Sequence, residues 1–172
     1  MLVVIAGAGS VGRAIARELL SHGHEVTVVD ANPDAMKVSS VAEANWILGD
    51  LTSPDVMERA GVAGAEVVVT ATGDDTANLV ISLLAKTQFG VPRVIARVNN
   101  PKNEWMFDDS WGVDVSLSIP RMMTAMVEQV VSSDLDSSLG IRATGGLGQT
   151  GVQEGTPRAT QSQPAQPQDQ SE

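Results

Sequence analysis

One stretch near the start of the chain constrains the fold more than any other. The apolar run Leu2-Val3-Val4-Ile5-Ala6 ends in Gly7-Ala8-Gly9-Ser10-Val11-Gly12, and a helical pattern follows from Ser10 to Ser21. Strand, glycine turn and helix in that order predict the first half of a βαβ unit. The three glycines have separate tasks in such a turn. Gly7 lets the chain reverse sharply, Gly9 lets a pyrophosphate approach a backbone without a Cβ, and Gly12 lets the helix pack closely on the strand. The free N–H groups at the helix start then face the phosphates. Glu25-Val-Thr-Val-Val-Asp30 reads as the second strand, and its closing acid stands 18 positions after Gly12. That is near the spacing at which a carboxylate accepts the hydroxyls of a ribose. A carboxylate there favours a free 2′-hydroxyl and repels a 2′-phosphate, which disfavours NADP and leaves NAD, NADH, ATP and ADP equivalent.

A chain of 172 residues has room for one domain, and 42% apolar residues are enough for a core. Without cysteine there are no disulfides, thiolate metal sites or cysteine nucleophile. The chain opens on a strand and lacks both a signal peptide pattern and an apolar run of about 20 residues, so a cytoplasmic protein is expected. A net charge of −10, with the acids spread along the chain, repels nucleic acid and anionic lipid. Any membrane association should therefore run through a protein partner.

Further strands are expected at Asn45–Leu48, Glu66–Thr70, Pro92–Val98 and Val113–Val115. Helices are expected from Asn32-Pro33, from Ser53-Pro54, over about Asp74–Phe89 with Leu79, Val80, Leu83 and Leu84 inward, and over Ser118–Val131. In the first helix Val11, Ala14, Ile15 and Leu19 fall near helical spacing. The whole predicts an α/β fold: a Rossmann-type doubly wound parallel sheet of six strands with a C-terminal crossover helix. In such sheets ligands sit outside the C-terminal strand ends. The candidate nucleotide-binding set is therefore Gly7, Ala8, Gly9, Ser10, Val11, Gly12, Asp30, Asp50, Leu51, Ala71, Thr72, Gly73, Asn78 and Arg97. Asp50 either accepts from the adenine amino group or caps the helix after it. Asn78 contacts ligand or the loop before it. Arg97, set among apolar residues, meets either a phosphate or one of Asp50, Asp74 and Asp75. Arg13 either faces water or swings to phosphates, its own or a neighbour's. His22 and His24 lie at the opposite sheet edge and read as turn residues.

Trp105, Phe107 and Trp111 form an aromatic group that serves as core plug or subunit contact. The last helix carries Met122, Met123, Met126, Val127, Val130 and Val131. That broad apolar face suits exchange across a dimer, or folding back on its own sheet. Residues 1–132 are expected as the nucleotide-binding domain, 133–142 as a linker, and the Gly- and Gln-rich 143–172 as a disordered tail. No tyrosine and no well-placed histidine is available for acid–base chemistry, and Lys86 and Lys102 stand isolated. No catalytic residue and no metal site is assigned. A small NAD-dependent oxidoreductase and a non-gating Rossmann scaffold are the competing readings.

Several marks together carry a more specific resemblance. They are the glycine turn, Val29-Asp30, Leu48-Gly49-Asp50, Ala71-Thr-Gly-Asp-Asp-Thr-Ala-Asn78, Ile95-Ala-Arg97-Val98, and Pro120 opening the final helix. Through them residues 1 to about 132 resemble the N-terminal half of the RCK or KTN (TrkA N-terminal) family, which regulates potassium conductance, and in particular its actinobacterial Trk-type members. The resemblance implies a cytosolic homodimer or larger ring, of this chain alone or with a paralogous RCK subunit. It implies binding of NAD(H) or ATP/ADP, and gating of a Trk/Ktr-type membrane potassium transporter subunit at the inner face of the plasma membrane. Some family members have an acid after the proline of the last helix that contributes to a cation site. Arg121 stands there, so that site is not expected. The family's usual small C-terminal domain is not expected in the tail, so the chain reads either as a truncated or frame-altered version or as a subunit that works beside a full-length partner.

Overall fold

Apolar, β-branched runs bounded by turns build the sheet, and short amphipathic helices cover it. In the computed structural model, which describes residues 1–138 and side chains to residue 132, the elements follow in order. They are β1 (Leu2–Ala6), α1 (Ser10–Ser21), β2 (Glu25–Asp30), β3 (Asn45–Leu48), α2 (Pro54–Arg59), β4 (Val67–Thr70), α3 (Asp75–Thr87), β5 (Arg93–Val98), β6 (Val115–Ser118) and α4 (Ile119–Ser138). The strands form one sheet in the order β3-β2-β1-β4-β5-β6, and every pairing is parallel. This is the order of a dinucleotide-binding sheet, with its switch point between β1 and β4. Val3, Val4, Ile5 and Ala6 are all buried because β1 is covered on both faces. On one face Met57 of α2 and Ile81 and Ala85 of α3 pack on Val4, Val68 and Val94. On the other, Ala16 of α1 packs on Val3, Ile5, Val28 and Val69. A third cluster joins Leu79, Ala96 and Val98 to Phe107 and Val113 of the β5–β6 connection.

Four expectations are corrected. No α-helix forms from Asn32-Pro33. Asn32 caps a single 3-10 turn, Pro33–Ala35, and a second turn follows at Val38–Ser40. None of the residues of either turn is buried, so no apolar stripe repays a longer helix there. In α1 the buried positions are Gly12 and Ala16, and Ala14 is exposed, because Gly12 must face the turn it packs on. The buried face of α3 includes Asp75, Asn78 and Ser82 beside Leu79 and Ile81, and Leu84 packs on the core as expected, while Val80 and Leu83 are partly exposed. Strand β6 begins at Val115, where it was expected to end. Gly112 takes a left-handed φ of 74° and Val113 turns into the core. The Asp114 carboxylate accepts from the Val94 N–H at 2.6 Å and pairs with Lys86 at 2.7 Å, so regular register starts one residue later, Ile95 with Val115.

Met1–Asp134 forms one unit and a second begins at Leu135. Helix α4 runs on to Ser138, through residues assigned by composition to a linker. The remaining linker positions and the tail at 143–172 lie outside the described residues. Among the described residues no helix is long and apolar enough to cross a membrane.

Candidate functional site

A cleft of about 560 Å³ opens at the C-terminal ends of the strands, where the order reverses between β1 and β4. Its floor is the glycine turn. Gly7 has φ 108°, and a Cβ on it would lie 2.7 Å from the Ala71 carbonyl oxygen. A Cβ on Gly12 would lie 1.9 Å from the Gly7 oxygen, which is how closely α1 sits on the turn. A Cβ on Gly9 would meet nothing within 4 Å. Gly9 and Ser10 line the cleft where α1 begins, so its free N–H groups present a positive end.

Asp30 ends β2 on the cleft wall and organises the turn itself. Its Oδ2 accepts from the Ala8 N–H at 2.7 Å and its Oδ1 from the Asn32 N–H at 2.8 Å. A carboxylate has about four acceptor sites, so two remain for ligand hydroxyls. Arg13 donates from its guanidinium to the Ala8 carbonyl oxygen, so it holds the turn rather than standing free in water. Asp50 lines the cleft and caps a turn at once: its Oδ1 accepts from the Thr52 N–H at 2.9 Å and the Thr52 hydroxyl at 2.8 Å. It does not cap α2, whose N-cap, Ser53, makes no side-chain bond.

Leu51, Ala71, Thr72, Gly73 and Arg97 also line the cleft. Four of the expected residues do not. Ala8 is fully buried, with its N–H on Asp30, and Val11 and Gly12, in the first turn of α1, are not part of the cleft lining. Asn78 is 0% exposed, and its amide is used up as a latch. Its Oδ1 accepts from the Thr72 N–H (3.1 Å) and hydroxyl (2.6 Å), and its Nδ2 donates to the carbonyls of Thr72 (3.3 Å) and Arg97 (2.9 Å). It fixes the ends of β4 and β5 side by side. Ala6, Val29, Ala31, Asn32, Ala35, Gly49, Asp74, Ala77 and Ile81 were not assigned from sequence yet complete the wall. Their signal is position: Ala6 and Val29 lie at strand ends, Ala31, Asn32 and Gly49 come just after them, and Asp74 caps α3, to which Ala77 and Ile81 belong.

Arg97 is the informative member. It is half-buried on the cleft wall, its Nε is buried without a hydrogen-bond partner, and it makes no ion pair among the described residues. The acids expected to pair with it are engaged elsewhere. Asp74 caps α3 through Thr76 N–H at 2.8 Å. Asp75 accepts from the Asn99 and Asn100 N–H groups and from the Asn99 and Asn103 side chains, at 2.7 to 3.0 Å. A buried guanidinium N–H without an acceptor is unfavourable, and an anion in the cleft relieves it.

Burial works against the Asp75 charge, but the donors at Asn99, Asn103 and Asn100 outweigh it and hold its pKa below the ordinary carboxylate value. A depressed folded-state pKa contributes stability that is present above the unfolded value, about 3.9, and is lost as pH falls through the folded one. Asp75→Asn is expected to lower the unfolding free energy by about 1–3 kcal/mol at pH 7. In denaturant titrations the gap between the two proteins should close below about pH 4. Among the described residues no group of three His, Asp or Glu is arranged to hold a metal ion.

The TrkA-N domain model matches residues 3–119. Trk system potassium uptake protein TrkA of Mycobacterium tuberculosis H37Rv is 51% identical over 132 residues, which are 77% of this chain and 60% of that protein. A TrkA homolog of Methanothermobacter thermautotrophicus is 36% identical over 134 residues, 77% of this chain and 61% of that protein. The chain therefore spans less than two thirds of the length of these relatives. Among solved structures, the TrkA-N domain of inner membrane protein ybaL from Escherichia coli aligns with a TM-score of 0.66 at 17% identity, over 74% of this chain and 94% of that one. GsuK bound to ADP aligns at 0.67 and 21%, over 77% of this chain and 34% of that one. The GsuK channel bound to NAD aligns at 0.59 and 22%, over 67% of this chain and 21% of that one.

Proposed function

The chain belongs to the TrkA-N domain family, and from that we propose that it is a nucleotide-binding regulatory subunit of a membrane potassium uptake system, its cleft taking NAD(H) or ATP/ADP. The observation that carries the reading is Arg97, an unpaired cation on the wall of a cleft whose other wall holds Asp30. Phosphate answers the first and ribose hydroxyls answer the second. The glycine turn and the start of α1 lie beside both, where a phosphate meets backbone N–H groups. GsuK is a structural neighbour bound to ADP in one structure and to NAD in another, which supports the same ligand class here. A switch requires only that binding differ between two states. The titratable groups lining the cleft are Asp30, Asp50, Asp74 and Arg97, and each carboxylate already accepts backbone N–H bonds. A regulatory subunit asks of these groups only that they bind ligand, with no general acid or base among them.

The partner follows from the relatives' names and from α4. The Trk system relatives point to a membrane potassium transporter reached from the cytoplasmic side. Met122, Met123, Met126, Val127, Val130 and Val131 of α4 are each more than half exposed. A run of that kind is a surface to be covered. A second copy covers it, giving a homodimer or a larger ring. Changing Met122 and Met126 together to lysine is expected to reduce the mass in light scattering to that of a monomer. An unchanged mass would remove α4 from the interface.

The test of the ligand reading is calorimetric titration of the protein with NADH, NAD, ATP and ADP. At least one should bind, and Arg97→Ala should weaken it about tenfold to a hundredfold, the worth of a hydrogen bond to a charged group. Equal affinities in the two proteins would sink the phosphate role of Arg97.

A further inference from the structure

The β5–β6 connection displays aromatic surface that the nucleotide cleft does not use. Trp105 is 77% exposed and Trp111 37% exposed. Leaving an indole in water forgoes about 2 kcal/mol of burial, yet the backbone that carries these side chains is firmly held. Asp75 ties its start through Asn99, Asn100 and Asn103. Phe107, 5% exposed, plugs its middle into the cluster with Leu79 and Val98. Asp108 shapes the following turn, accepting from the Ser110 N–H at 3.0 Å and its hydroxyl at 2.5 Å. At the end, a Cβ on Gly112 would lie 2.8 Å from the Ser82 carbonyl oxygen, so the chain presses directly on α3. Tryptophans held out on a fixed backbone bind without the cost of ordering that backbone.

The charges nearby have a sign. Lys86 is matched by Asp114, and Arg121 by Glu104. Asp108 and Asp109 make no ion pair among the described residues. The hydrogen bonds from Ser110 hold the Asp108 carboxyl below its usual range, so it is anionic at neutral pH. Lys102 is the one basic residue between 101 and 111. The indole face attracts guanidinium and ammonium groups, and two aspartates without an ion pair among the described residues complement the same charge. Anionic lipid is repelled by a chain of net charge −10. Membrane proteins carry an excess of lysine and arginine in their short cytoplasmic loops.

We propose that the connection bearing Trp105 and Trp111, with Asp108 and Asp109, is the docking surface for a basic cytoplasmic segment of the membrane partner. This rests on the regulatory-subunit reading and names the chemistry of its contact. The test titrates the full chain with a hexa-arginine peptide, followed by calorimetry in low salt. Wild type should bind saturably, Trp105→Ala should bind about tenfold more weakly, and Asp109→Asn should weaken binding too. Glu18→Gln, which removes an exposed acid on α1, should leave the affinity unchanged. Equal weakening in Glu18→Gln would show non-specific attraction and overturn the proposal, as would an intact Trp105→Ala. A fall in oligomeric mass in Trp105→Ala would make the occupant a second copy and overturn it as well. So would Trp105-dependent binding to phosphatidylcholine vesicles, which would make the occupant lipid. NADH titration of the same variants separates the two readings, since a docking surface predicts unaltered nucleotide affinity in Trp105→Ala. Loss of peptide specificity with nucleotide binding intact would count against this surface alone.

Discussion

Alanine in place of Gly12 is expected to cost about 3 kcal/mol or more and to lower the denaturation midpoint accordingly. An added Cβ would lie 1.9 Å from the Gly7 carbonyl oxygen and 3.1 Å from its carbon, both backbone atoms. Gly7 cannot yield, because it sits at φ 108° against the Ala71 carbonyl. Relief requires α1 to lift from β1, which opens the packing of Ala16 on Val3 and Ile5. Alanine is worth about 1 kcal/mol over glycine within a helix, and the clash outweighs that gain. Total stability for a domain of this size is about 5–15 kcal/mol, so the loss is a large share. The denaturation midpoint checks it, and Gly9→Ala is the control. A Cβ at Gly9 meets nothing within 4 Å, so that variant should fold normally and lose nucleotide affinity alone. Two neighbouring glycines thus separate packing from ligand approach. Equal stability for wild type and Gly12→Ala would mean that the helix start adjusts freely.

Asp30→Ala should reduce affinity for every adenosine ligand by about a hundredfold, from two charge-assisted hydrogen bonds of roughly 1.5–3 kcal/mol each, partly compensated by water. It should also destabilise the unliganded protein by about 1–3 kcal/mol, because the fully buried Ala8 loses the acceptor for its N–H. Asp30→Asn distinguishes the two roles. Its carbonyl oxygen can still accept from Ala8, so stability should largely return. Its amide cannot replace the second carboxylate oxygen, which accepts from Asn32, and affinity should stay low. Calorimetric titration and thermal melts on the two variants give both readings. Retained affinity in Asp30→Ala would overturn the ribose assignment.

The site was legible in sequence as far as local pattern reaches. Gly7, Gly9 and Asp30 announce themselves by spacing, and Thr72, Gly73 and Arg97 by standing at predicted strand ends. The aromatic group was legible only as an alternative between plug and contact. The structure divides it: Phe107 plugs the core while Trp105 stands in water. Asn78 was not decided by its sequence position. One turn into a helix beside the cleft, it reads equally as a ligand contact or a loop tie, and its four short hydrogen bonds place it as the tie.

Sequence alone determined the strand–turn–helix start, the parallel order that follows from alternating strands and helices, and the acid at the end of β2. Those features are written in periodicity and glycine spacing, which act between near neighbours. Only the tertiary structure decided which carboxylates were already taken. Asp75 is claimed by three asparagines more than 20 residues away, Asp114 by Lys86, and Glu104 by Arg121, and those pairings leave Arg97 unmatched in the cleft. A charge finds its partner by distance in space, and that distance is set by the packing of β5 against α3.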